Sequence, residues 1–90
     1  VLINTSRGPI VDQAALVAAL RNGTIAAAGV DVYDQEPLPA GHELTMLDNA
    51  VLLPHLGYVS ESAMRHMYGQ VVENIAAFQR GEPIRVIAGP

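Results

Sequence analysis

Ninety residues, half of them hydrophobic and 16% charged, describe a chain that builds one small core, at most one domain. The net charge is −4, and the five basic residues are all arginine, scattered at Arg7, Arg21, Arg65, Arg80 and Arg85, which excludes the basic patch of a nucleic-acid binder. No apolar run approaches the roughly 20 residues that cross a bilayer. The absence of cysteine excludes a disulfide scaffold and a cysteine zinc site, and fits a reducing, cytoplasmic compartment.

The chain opens on the aliphatic run "VLIN", read as a short buried strand broken by "TSRGP", where Gly8 and Pro9 mark a turn. Starting inside a strand and without methionine, it reads as a fragment. Asp12 then stands before "QAALVAALRNG", whose Leu16, Val17, Ala19 and Leu20 repeat at helical spacing, with Gly23 at the C′ position. Both ends of a helix are signalled.

The next segment, "IAAAGVDVY" (residues 25–33), has the small and β-branched composition of a strand covered on both faces. The stretch "DQEPLPAGHEL" that follows reads as loop. "AVLLPH" (50–55) is a third apolar strand. From Ser60 a second helix is expected, with Met64, Met67, Tyr68, Val71, Val72, Ile75 and Phe78 on one broad stripe and Gly81 and Pro83 ending it. That stripe reads as core packing rather than as a cofactor surface.

Strands alternating with helices predict an α/β fold with a parallel sheet. In open sheets of this kind ligands sit beyond the carboxyl ends of the strands. The rule selects three stretches, residues 5–8, 31–37 and 55–58, and brings Arg7, Asp31, Glu36 and His55 together. Arginine grips a carboxylate through two charge-assisted hydrogen bonds, and a histidine beside a carboxylate is held in one tautomer as a poised proton donor. Alone, Arg7 reads as a solvated turn residue and Glu36 as a loop acid. Together they make a site for a small acid bearing a carbonyl. His42, in a Pro/Gly loop, and His66, in the last helix, are assigned nothing.

"LINTSRGPIVD", "GVDVYDQEPLP" and "NAVLLPHLGYVS" resemble, in order and spacing, three successive segments from the carboxyl-terminal half of the NAD-binding domain of D-isomer-specific 2-hydroxyacid dehydrogenases. The resemblance runs along essentially the whole chain. It implies part of a Rossmann-type doubly wound parallel sheet, the last three strands with flanking helices, and hydride transfer between NAD, with NADP not excluded, and a small 2-keto or 2-hydroxy acid. Carried over, the catalytic residues are Arg7 for the substrate carboxylate, Glu36 beside the histidine, and His55 as proton donor. Cofactor contacts fall on Thr5, Ser6, Arg7 and Asp31, and on His55, Leu56, Gly57 and Tyr58; no metal is implied.

The resemblance further implies a homodimer at full length, no nucleic-acid or membrane partner, and a segment from residue 60 onward that returns to a substrate domain. The glycine-rich fingerprint G-x-G-x-x-G occurs nowhere in the chain, so these residues alone are expected to bind NAD weakly. A nucleotide-sensing corepressor or interaction protein of the same fold is the competing reading, and a relic with only a structural role is the third. Detached from its neighbours the chain is expected to expose apolar surface and an unpaired strand edge, and to be marginally stable or to associate.

Overall fold

The computed structural model describes residues 1–89, which divide into two units, Val1–Gly57 and the segment from Tyr58 onward. In the first unit three short parallel strands, β1 (Leu2–Asn4), β2 (Ala28–Val30) and β3 (Ala50–Leu52), lie in the order β1-β2-β3. Leu2 stands opposite Ala28 and Asn4 opposite Val30, while Ala28 and Val30 pair with Ala50 and Leu52. All three carboxyl ends therefore lie along one edge of the sheet.

Helix α1 (Gln13–Arg21) makes the crossover from β1 to β2. Asp12 caps it, its carboxylate accepting from the Ala15 N–H at 3.0 Å, and Gly23 leaves it at φ 76°, a left-handed conformation that favours glycine. Leu16, Val17 and Leu20 form its buried stripe. They pack with Ala28, Val30, Tyr33 and Leu44 into the core, flanked by Leu2, Ala50 and Leu52. Alternation along the strands sends Ile3 and Val51 to the other face, where they are two-thirds exposed. The sheet is covered on one side by its own unit.

Asn49 ties helix to sheet, its Nδ2 donating to the carbonyls of Leu20 and Ala26 at 3.1 and 3.2 Å. Two 3-10 turns, Gly8–Ile10 and Glu43–Met46, interrupt stretches that the sequence marks as turn and loop. The strand expected over 25–33 is shorter than its composition predicts. Ile25 N–H bonds to Ala19 O of the helix, and beyond Val30 the chain leaves the ladder.

The second unit contains α2 (Glu61–Gln79), whose cap is Ser60, its Oγ accepting from the Ala63 N–H at 3.2 Å. Gly81, at φ 77°, ends it. Arg85 folds back on this helix, bonding Glu73 at 2.7 Å and Asn74 at 2.9 Å. Its apolar stripe is not core: Tyr68, Val72 and Phe78 are 63%, 66% and 74% exposed. Helical spacing predicts a shared face, but burial requires a partner surface that the described residues do not supply. No helix among them is long and apolar enough to cross a membrane.

Candidate active site

Three residues of the loop after β1 are shaped by Asn4, the last residue of that strand. Its side chain is buried, accepts from the Ser6 N–H at 3.2 Å and donates to Arg7 O at 3.0 Å. This closes a tight Asx-type turn that presents Thr5, Ser6 and Arg7 at the sheet's carboxyl edge. Arg7 itself is exposed and donates through Nη1 to Ser6 O at 2.7 Å. Its guanidinium lies near enough to add to the forces that favour the charged form of Glu36.

After β2 the chain places Asp31, 2% exposed, directly beyond the ladder. Both carboxylate oxygens are engaged by backbone from the loop after β3: Oδ1 accepts from the Leu56 N–H at 2.7 Å and Oδ2 from the Gly57 N–H at 2.8 Å. The hydrogen bond from Leu56 is the foremost cause that holds the Asp31 pKa below the ordinary aspartate value; burial opposes it, and the Gly57 bond adds to it. His55 sits at φ 59°, the left-handed region that a non-glycine residue enters at a cost of order 1–3 kcal/mol and that recurs at functional sites. The residues after it deliver two amides to one carboxylate.

The consequence is the contact at the centre of the site. His55 Nδ1 and Glu36 Oε2 are 2.6 Å apart. A carboxylate only accepts, so Nδ1 carries the proton of this bond. The other oxygen of Glu36 accepts from the Tyr33 N–H at 2.9 Å. Both contacts, the histidine first, hold the Glu36 carboxyl below the usual glutamate range against the desolvation that opposes them. About a third of each side chain reaches solvent, so the pair is accessible from one side.

Beside it opens a cleft of about 600 Å³, to which Glu36, His55 and Thr45 give polar lining and Tyr33, Leu38, Leu52 and Pro54 apolar walls. Such a hollow, mostly apolar with a few convergent polar groups, is the form a small-molecule site takes. Among the described residues no group of histidine, aspartate and glutamate side chains is placed to hold a metal ion.

Of the residues singled out in the sequence, Glu36 and His55 are in direct contact and Asp31 bonds Leu56 and Gly57. Thr5, Ser6 and Arg7 form one turn, but Arg7 makes its hydrogen bond to Ser6 rather than to Glu36 or His55. Tyr58 opens the second unit and is half exposed. Two residues that shape the site are not singled out in the sequence: Asn4 and Tyr33. Only Asn4 carries a local signal, an Asn two residues before a serine at a strand end. Tyr33 is buried and its hydroxyl donates to Leu53 O at 2.7 Å, with Val30 O at 3.1 Å.

Comparison with known proteins matches residues 1–57 to the family model for the D-isomer specific 2-hydroxyacid dehydrogenase, NAD binding domain. A glyoxylate reductase of Korarchaeum cryptofilum is 50% identical over 82 residues, covering 91% of this chain and 25% of that protein. The crystal structure of an NADPH-dependent glyoxylate/hydroxypyruvate reductase from Sinorhizobium meliloti in complex with citrate superimposes with a TM-score of 0.82 at 44% identity, over 97% of this chain and 28% of that one. A D-isomer specific 2-hydroxyacid dehydrogenase from Xanthobacter autotrophicus Py2, in complex with NADPH and MES, gives 0.73 at 46% identity over 98% and 36%. The chain spans about a quarter of the length of the reductase it matches first.

Proposed function

Since this chain belongs to the D-isomer specific 2-hydroxyacid dehydrogenase family through its NAD binding domain, we propose that it carries the proton-transfer machinery of an enzyme reducing a small 2-keto acid to the 2-hydroxy acid. The single observation that carries the reading is the 2.6 Å contact between His55 Nδ1 and Glu36 Oε2, at the carboxyl edge of a parallel sheet. The names of the relatives, glyoxylate and hydroxypyruvate reductases, support glyoxylate or hydroxypyruvate as substrate.

In this reading Glu36, itself fixed by the Tyr33 N–H, orients the ring through Nδ1 and opposes its positive charge. His55 delivers a proton from Nε2 to the substrate's carbonyl oxygen. Arg7 turns from Ser6 to bind the substrate carboxylate with two parallel hydrogen bonds, a geometry lysine lacks. Asp31 holds the backbone after His55 and with it the direction of the ring.

The residues fit one end of a nicotinamide dinucleotide. The exposed turn of Thr5, Ser6 and Arg7 offers polar groups to the carboxamide of such a ring at the sheet's carboxyl edge, while no glycine-rich turn for the pyrophosphate occurs in the chain. Thr5, Ser6, Arg7, Asp31 and the stretch from His55 to Gly57 are the residues of the first unit that would hold that ring; when bound, the cofactor supplies the hydride for C2 of the keto acid. We read the separate unit from Tyr58 onward, with its exposed apolar stripe, as the segment that returns to a substrate domain.

The test is His55→Ala in the complete enzyme. Turnover of a 2-keto acid falls by about 10² to 10⁴-fold while NADPH still binds, measured by fluorescence titration. Near-normal turnover would remove His55 from the chemistry and the reading with it.

A further inference from the structure

Glu36 rides on a loop that leaves β2 and runs to His42, the residue that caps the second 3-10 turn. The loop's own backbone holds it weakly, through the His42 N–H bonded to Pro39 O at 3.1 Å. Both of its ends meet one side chain from another element. Gln13, the first residue of α1, accepts at Oε1 from the Asp34 N–H at 3.1 Å, and its Nε2 lies 3.0 Å from Nε2 of His42. The ring of His42 is fixed in turn, its Nδ1 accepting from the Leu44 N–H at 3.1 Å.

We infer that Gln13 is a positioning residue: by contacting the loop at Asp34 and at His42, on either side of Glu36, it sets Glu36 against His55. The tie is a property of this unit alone. Its catalytic meaning rests on the function proposed above.

Proton counting sharpens the inference. With Oε1 accepting from Asp34, the amide Nε2 of Gln13 is a donor, so Nε2 of His42 has to accept. Yet Nδ1 of the same ring accepts from Leu44, and a neutral imidazole has a single acceptor nitrogen. Turning the amide over serves the ring but sets an NH₂ group against the Asp34 N–H. With glutamine the network holds one donor more than it has acceptors for, so with the Leu44 bond kept, in either orientation of the amide one of the two contacts is a full hydrogen bond and the other is packing only. A carboxylate at position 13 would accept from both the Asp34 N–H and an Nε2–H of His42. Gln13→Glu should therefore keep the tie, and Gln13→Ala should lose it.

The readout is the tautomer of the neutral His55 ring, obtained from two-bond proton–nitrogen spectra of the ¹⁵N-labelled chain at alkaline pH. A free imidazole carries its proton mainly on Nε2, whereas Glu36 at 2.6 Å draws it to Nδ1. Arg7 and Asp31, the other charged groups around the pair, are unchanged in every variant. We expect Nδ1–H in the native chain and in Gln13→Glu, and reversion toward Nε2–H in Gln13→Ala. Gln13→Met, which keeps the stem and removes both polar atoms, should revert as well and serves if alanine loosens the fold.

Retention of Nδ1–H in the alanine and methionine variants would overturn the inference. So would reversion in Gln13→Glu, because the two contacts would then not be what places Glu36. Turnover does not enter this readout. A His55→Ala enzyme that still works would remove the catalytic reading and leave the tie standing.

Discussion

Gly8 approaches Tyr33 so closely that a Cβ on it would stand 2.1 Å from the Tyr33 carbonyl carbon and oxygen, and 2.6 Å from the Asp34 nitrogen. Backbone meets backbone there, and neither side can yield as a flexible side chain would. This contact seats the turn carrying Arg7 against the start of the loop carrying Glu36. Gly8→Ala should cost about 2 kcal/mol or more, in the upper part of the range for overpacked sites, and lower the urea midpoint without changing the slope. An unchanged midpoint would mean that the two loops do not pack this way.

The hydroxyl of Tyr33 joins the end of β2 to Leu53, two residues before His55. Tyr33→Phe leaves the ring in the core and strands the Leu53 carbonyl. A loss of about 1 kcal/mol is expected, the usual worth of one buried hydrogen bond, with the Glu36 contact to the Tyr33 N–H preserved because it is made by backbone. Equilibrium unfolding of the two proteins measures it; a loss above about 3 kcal/mol would show that the hydroxyl organises more than one strand end.

Asp31 links stability to pH. Its pKa lies below the ordinary value of 3.8, chiefly through the Leu56 hydrogen bond, so the folded state binds its proton less readily than the unfolded state. That stability is present above the ordinary value and lost as pH falls through it toward the lower folded value. Glu36, also held low from 4.5, loses its share in the same direction at slightly higher pH. Unfolding curves between pH 3 and pH 7 should decline at the acid end, and Asp31→Asn should flatten that decline while weakening the protein at neutral pH. An identical pH slope in the variant would contradict the two amide contacts.

Glu36→Gln addresses the chemistry. The native carboxylate offers the ring a negative charge 2.6 Å away, and glutamine offers only a dipole. The charged form of the histidine loses its counter-charge, so the pH optimum of keto-acid reduction should move down, with the acid limb retained. A pH profile superimposable on that of the native enzyme would reduce Glu36 to a loop residue.

Much of this molecule was legible in its residues because the relevant signals are local. Asp12 and Gly23 mark the ends of α1, and Ser60 and Gly81 those of α2, within one helical turn of the groups they satisfy. The alternation of short apolar runs with a helical pattern was enough for a parallel sheet, and the carboxyl-edge rule brought Glu36 and His55 into one neighbourhood before any coordinates. Local patterning could not say how far a strand extends or whether a stripe is covered. The run 25–33 contributes only Ala28–Val30 to the ladder, and the stripe of α2 is left exposed.

Tertiary structure alone decided how the site is held. Asp31 meets Leu56 across 25 positions, Gln13 meets His42 across 29, and Tyr33 meets Leu53 across 20. No propensity or spacing encodes which distant amide a buried carboxylate accepts. Composition and periodicity record what each segment prefers by itself; the partner of a hydrogen bond is chosen only when packing brings two segments together and leaves a buried polar group no water to turn to.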